Sequence, residues 1–294
     1  MYEVPDDYVV PEQLPGMLET TSEMRGVEVV GESPLLGLRI GERLAREIYI
    51  SRFEPLLTPQ KHSRIVTWRP IGYRKRPVGW VRSPLEVSLK RATAFTHLVG
   101  DDYATHWSST AQRDLRHAQE RGVRVEAVPF AVFMEHMPRQ GKFRGLFSFM
   151  SWQAERFHKV YADNMRWYLA YNAKARVAAA LGVLYLPEHN FSMSGTSYSI
   201  READERSAPV ALRDRWHKDA LKEGITYLDW NALWRPGDAR SWRGFGAFKK
   251  KFKPNIVYLP PTYITFVPSI RLSRYLLRLR RLFRTDAPSS RGAQ

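Results

Sequence analysis

The sequence predicts an α/β protein with a mixed sheet flanked by helices, and three observations carry that expectation. From about residue 107 onward, amphipathic helices with readable caps alternate with short apolar or β-branched runs. Hydrophobic residues make up 44% and aromatics 13% of the 294 residues, with nine Trp among them, so a sizeable core is available. Two neighbouring apolar runs, "MRWYLAYN" (165–172) and "ARVAAALGVLYL" (175–186), read as a hairpin, which makes the sheet mixed rather than purely parallel.

In chain order, residues 1–23 read as an irregular arm. Between Met24 and about Trp80, "GVEVV", "REIYI" and "RIVTWRPIGY" read as strands between Gly and Pro punctuation. "PLEVSLKRATAFTHLV" (84–99) opens on Pro with helical spacing, and "SSTAQRDLRHAQERG" (108–122) carries Ser/Thr caps at one end and Gly122 at the other. "VRVEAV" (123–128) alternates as a strand, and helices follow around 130–138 and 151–164. After the hairpin, "EHNFSMSGTSYS" (188–199) reads as a polar loop. "APVALRDRWHKDALKEG" (208–224) is a helix stopped by Gly224, "ITYLDWNAL" (225–233) a buried strand, and "NIVYLP" a further strand before a basic C-terminal helix. The expected divisions are 1–23, a β-rich half at 24–105, a main domain at 106–267, and a basic helix and tail at 268–294.

The formal charge is +16, and it is local. Between Asp238 and Asp286 there is no acid and there are twelve basic residues, leaving about +4 for the rest of the chain. A general nucleic-acid coat is therefore disfavoured against a local device. "SWRGFGAFKKKFKP" (241–254) supplies part of it. "SIRLSRYLLRLRRLFR" (269–284) supplies the rest, with Leu272, Tyr275, Leu276, Leu279, Leu282 and Phe283 on one helical face and six arginines opposite. That pattern suits a helix lying on an anionic membrane surface, a helix packed on its own domain with arginines in water, or contact with an RNA backbone. The absence of cysteine excludes disulfides, thiol catalysis and Cys-ligated zinc. The eight His lack a two-at-four spacing with a carboxylate, so no metal is expected. With an acidic, Pro-bearing N-terminus and no run near eighteen apolar residues, the expected location is the cytoplasm, with peripheral contact on the inner membrane face through 269–284.

Three stretches carry a family resemblance: "WSSTAQRDLRHAQERGVRVE" (107–126), "NMRWYLAYNAKARVAAALGVLYLPEHNFSMSGTSY" (164–198) and "ALKEGITYLDWNALWRPGDARSWRGFGAFKKKFKP" (220–254). In order and spacing they resemble the Fem-type peptidoglycan aminoacyltransferases and their GNAT-like acyltransferase relatives. The departures are at Trp230 and Asn231, where the family often has Gly after the Asp, and in residues 1–100, which do not show the family's usual N-terminal opening. The resemblance implies a GNAT-like mixed sheet, with two GNAT-like halves of which the N-terminal one is degenerate. It also implies transfer of an aminoacyl group from aminoacyl-tRNA, or of an acyl group from acyl-CoA, to an amine of a cell-wall or other cell-envelope precursor, lipid-linked in some members. No separate cofactor is implied. The GNAT pyrophosphate loop is not apparent in this sequence, which favours the tRNA donor.

Direct attack of an amine on an acyl carbonyl needs no protein nucleophile, and no Gly-x-Ser-x-Gly elbow is present. By the resemblance, Phe248 and Lys249 fall on the family's Phe-Lys pair at the acyl-donor end of the site. Lys249 would hold a phosphate or the developing oxyanion, with Arg243 beside it; the other reading of these charges is a solvated helix end. Gly244 and Gly246 would let backbone approach the donor. Asp229 would orient the attacking amine or take its proton, or else cap the next turn. Tyr198 and His189 are hydrogen-bonding candidates for sugar or peptide, or parts of a plain polar loop. Arg113 and Arg116, three residues apart on one helix face, are phosphate contacts or surface charges. The rival from another class is a non-catalytic basic adaptor that binds membrane or RNA.

Overall fold

A computed structural model gives the fold and describes residues 11–14, 16–18, 27–31, 37–40, 45–51, 53–58, 60–71, 76–83, 92–137, 144–200, 205–236, 238, 240 and 243–284. The chain forms two compact units, each discontinuous in sequence: Ser22–Val87 with Pro261–Gln294, and Met1–Thr21 with Ser88–Pro260.

The first unit holds β1 (Val27–Val30), β2 (Gly37–Ile40), β3 (Ala45–Ser51), β4 (Arg64–Pro70), β5 (Val81–Arg82) and, from far along the chain, β13 (Tyr263–Val267). They form one sheet in the order β1-β2-β3-β4-β13-β5, antiparallel except for β3 and β4. Val66, Trp68, Trp80, Tyr263 and Val267 make its core, with the Trp68 and Trp80 ring centroids 5.7 Å apart. The helix Ile270–Arg284 follows β13. Among the described residues, no helix is long and apolar enough to cross a membrane.

The second unit holds β6 (Ala92–His97), β7 (Arg124–Val128), β8 (Met165–Tyr171), β9 (Val177–Leu186), β10 (Phe191–Ser199), β11 (Tyr227–Ala232) and β12 (Asn255–Tyr258). Its helices are α1 (Ser109–Glu120), α2 (Phe130–Glu135), α3 (Arg144–Tyr161), α4 (Ala208–Lys222) and α5 (Arg243–Lys250), which makes Ile270–Arg284 α6 in chain order. The seven-stranded sheet runs β12-β6-β11-β10-β9-β8-β7, and its one parallel pair is β10 with β11. Each unit thus holds a mixed sheet, and the expected α/β class, with a mixed sheet flanked by helices, is the one observed.

Local chemistry explains much of this. Ser108 caps α1 by accepting from Ala111 N at 3.2 Å, and α4 ends at Gly224 with φ +71°. The hairpin forms as expected, and β9 is buried along its whole length between β8 and β10.

Two expectations are corrected. Residues 92–97 form a strand instead of the end of a helix, while 84–91 lie outside the described residues. Ala92 to Phe95 are fully enclosed between β11 and β12, so sheet pairing of a Thr- and Phe-bearing run overrides its helical spacing. Residues 191–199 form a central strand instead of a loop. Two of their hydroxyls are satisfied inside the fold, Ser192 donating to Leu184 O at 2.8 Å and Ser194 accepting from Arg213 Nη1 at 2.7 Å. Of the expected arm at 1–23, the described residues Leu14, Met17 and Leu18 are buried.

Candidate functional site

The parallel contact between β10 and β11 is short. It joins Phe191 to Tyr227, Ser192 to Leu228 and Met193 to Asp229, and then ends. Beyond that point β10 continues along β9, with a register shift between Ser194 and Ser197, and β11 continues along β6, with one between Asp229 and Ala232. Two parallel strands that stay paired to opposite neighbours must open a wedge between them. A cleft of about 320 Å³ lies on the β10 side of this opening. Ser197, Tyr198 and Ser199 from β10 and Leu181 from β9 form one wall, Leu212 and Arg213 of α4 another, and Phe245 and Phe248 of α5 a third.

The strand β11 is reshaped where it leaves β10. Asn231 sits at φ +61°, the left-handed region that Asn tolerates better than most residues. Its side-chain oxygen accepts from Ala232 N at 2.7 Å, and its own N–H donates to Asp229 Oδ1. Asn231 thus occupies a conformation that Gly adopts freely.

Lys249 closes the same place from α5. It is 1% exposed, and its Nζ donates to the carbonyl oxygens of Trp230 and, at 2.8 Å, Ala232, both beyond the last β10–β11 pair. The ammonium also lies 3.9 Å from the centroid of Phe245, a wall of the cleft. A cation with this environment belongs to the interior; the reading as a solvated helix end does not apply to it.

The fold can be compared with known structures. No protein-family model and no curated protein matches the sequence. Among solved structures, FemX superposes with a TM-score of 0.63 at 13% identity, covering 90% of this chain and 93% of FemX. The chain has the FemX fold. The C-terminal domain of a putative lysylphosphatidylglycerol synthetase from Agrobacterium fabrum matches at a TM-score of 0.48 and 12% identity, over 87% of this chain and 89% of that one. L-PGS from Bacillus licheniformis matches at 0.49 and 11%, over 92% and 98%.

On this FemX-like frame the sequence candidates separate. Phe248 and Tyr198 line the cleft, and Lys249 stands behind Phe245. The Tyr198 hydroxyl donates to Phe133 O at 3.0 Å, and burial pushes its pKa upward. Asp229 is wholly buried at the last paired position, its carboxylate accepting from Asn231 N and lying 3.4 Å from Thr93 Oγ1. Side chains alternate along a strand, and Ser194 and Trp230 face α4, so Asp229 faces the opposite side of the sheet. Gly246 packs on Trp234, where an added Cβ would come within 2.8 Å of Trp234 Cβ, whereas Gly244 has open space beside it, and neither is among the residues lining the cleft. Arg243 is exposed, its guanidinium 5.9 Å from the Trp234 ring.

Three candidates are placed elsewhere. His189 stands before the start of β10, at the end of the strands opposite the cleft, 3.9 Å from Glu188. Arg113 and Arg116 are exposed on the outer face of α1. These positions follow from β10 being a strand and from α1 packing its other face on α4.

Sequence reasoning missed Arg213. It is 3% exposed, donates from Nη1 to Ser194 Oγ at 2.7 Å, and lies 5.5 Å and 5.4 Å from the rings of Trp216 and Trp230. Among the described residues no carboxylate forms an ion pair with it. Burial pushes its pKa down to about 9, so it is still charged near neutrality. The signal was its place on the apolar face of α4, three residues after Val210 and three before Trp216. Among the described residues no group of three His, Asp or Glu could hold a metal ion.

Proposed function

We propose that the chain is an acyltransferase that moves an aminoacyl or acyl group from a carrier to an amine. The observation that carries this reading is the wedge between β10 and β11, with a small, mostly apolar cleft against it that is flanked by two buried cations, Arg213 and Lys249. The FemX-like fold supports it. A cleft of about 320 Å³ suits the acyl end of a donor rather than its whole carrier. The amine nitrogen attacks the acyl carbon, the new C–N bond forms, and the ester or thioester bond breaks. The carrier leaves with the electron pair and the amine proton passes to the leaving oxygen or sulfur. The buried, preorganised Lys249 ammonium near the wedge favours negative charge on the carbonyl oxygen as it develops.

Within this reading the donor is aminoacyl-tRNA ahead of acyl-CoA, and the acceptor is an amine of a cell-envelope precursor. The test is to offer the purified chain a charged tRNA pool and a panel of acyl-CoAs with amine acceptors, and to follow amide products by mass spectrometry. Amide formation from at least one donor class is expected; none from either class, with folded protein, would reject the reading.

A membrane contact is favoured by α6. Leu272, Tyr275 and Leu276 are exposed beside Arg271 and Arg274. The chain should sediment with anionic phosphatidylglycerol vesicles and not with phosphatidylcholine, and a form ending at residue 267 should lose sedimentation while keeping turnover on a soluble acceptor. Loss of every activity in that form would favour the adaptor reading instead.

A further inference from the structure

A guanidinium carries five N–H donors in a planar fork. At Arg213 the bond to Ser194 Oγ uses one of them, and among the described residues no other protein acceptor takes the rest. The side chain is 3% exposed, so water does not replace the missing partners in bulk. An interior arginine facing no carboxylate is costly, because the charge is desolvated without compensation. The Trp216 and Trp230 faces return a fraction of this. The residue nonetheless lines the cleft, where its open donors can be reached.

The rest of the cleft defines what reaches them. Leu181, Leu212, Phe245 and Phe248 are apolar, while Ser197 and Ser199 add hydroxyls near the rim. Such a space accepts a short chain with an apolar body and one terminal anion. A planar carboxylate matches the fork, and one carboxylate balances one guanidinium. Phosphates of a carrier would stay outside, since the volume of about 320 Å³ holds only the acyl end.

We propose that Arg213 is a specificity-determining residue that receives a carboxylate borne by the acyl group, so that the cleft selects acidic acyl or aminoacyl donors. The carboxylate site stands on geometry alone; its use in donor selection rests on the acyltransferase reading.

The test begins with binding to the wild-type chain, which needs no variant to fold. Glutarate, its neutral diamide and inorganic phosphate are titrated separately by calorimetry. Glutarate should bind at least about tenfold more tightly than the diamide, as expected for a paired buried charge, and more tightly than phosphate. Arg213→Gln should remove that preference, and Arg213→Lys, which keeps charge without the fork, should retain part of it. Equal binding of glutarate and diamide, tighter binding of phosphate, or an unchanged preference in folded Arg213→Gln would each overturn the proposal. With a charged tRNA pool, aspartyl and glutamyl donors should be consumed first, and Arg213→Gln should raise KM for these by a larger factor than for neutral donors. Equal loss of kcat across all donors would overturn carboxylate recognition and leave the acyltransferase reading standing. Carboxylate binding without transfer from any donor would support the site and remove that reading.

Discussion

His217 Nδ1 lies 2.7 Å from the carbonyl oxygen of Arg213, one turn earlier on α4, so the buried imidazole is fixed as the tautomer that donates there. Among the described residues its Nε2 has no hydrogen-bond partner, and its ring is enclosed by Tyr103, Trp107, Trp216 and Trp230. Burial, joined by the nearby Arg213 charge, pushes its pKa down to about 3, against the bond to the carbonyl, which raises it. The folded state therefore refuses a proton that the unfolded chain accepts below the ordinary value of 6.5. Stability contributed by neutral His217 is complete above that value and is lost as pH falls toward 3. Replacing His217 with Phe should flatten this dependence. Urea unfolding should show the wild type losing about 2 kcal/mol more than the variant between about pH 7 and about pH 4.5. Parallel curves for the two proteins would show that His217 does not titrate on unfolding.

Lys249 links chemistry and architecture, and the two can be measured apart. Lys249→Met keeps the aliphatic length but leaves the Trp230 and Ala232 carbonyls without their ammonium donor, at a cost of about 1–3 kcal/mol in denaturant unfolding. If the charge also acts on the donor, turnover by the folded variant should fall by at least about tenfold. Wild-type turnover in a destabilised but folded variant would confine Lys249 to holding β11.

The tie at Asn231 makes a graded prediction. Asn231→Gly loses the bond to Ala232 N but keeps a residue suited to φ +61°, so the cost in unfolding free energy should be under about 1 kcal/mol. Asn231→Val loses the bond and places a β-branched residue in the left-handed region, with an expected cost of about 2–3 kcal/mol. Equal costs for the two would mean that the backbone at 231 relaxes out of this conformation.

These relationships explain which features were legible in the sequence. Helices α1 and α4 were readable because their signals are local: Ser108 caps its own first turn, and Gly224 supplies its own positive φ. The β8–β9 hairpin was readable from adjacent apolar runs. Strand β10 was not, because "SMSGTSYS" is polar in composition and becomes interior only through distant partners, Leu184 O for Ser192 and Arg213 for Ser194. The same separation hid Arg213, whose burial depends on Trp230 and Ser194 as well as on its own helix. Phe248 and Lys249 were reachable through the family resemblance alone, since the carbonyls that Lys249 holds are exposed by a strand divergence that no local pattern encodes.

Two glycines of α5, which no single role explains, give the last prediction. At Gly246 an added Cβ would meet Trp234 Cβ at 2.8 Å and Trp234 N at 3.1 Å, and backbone cannot yield as a side-chain tip does. Gly246→Ala should therefore shift α5 off Trp234 and cost about 1–3 kcal/mol. At Gly244 nothing lies within 4 Å of the added atom, and the residue is in the first turn of a helix. Gly244→Ala should stabilise by up to about 1 kcal/mol by restricting the unfolded chain. Because Phe245 and Phe248 ride on the same helix, Gly246→Ala should also weaken ligand binding in the cleft, while Gly244→Ala should leave it unchanged. A Gly244→Ala variant that binds as poorly as Gly246→Ala would instead place Gly244 against the ligand, where a close backbone approach is required.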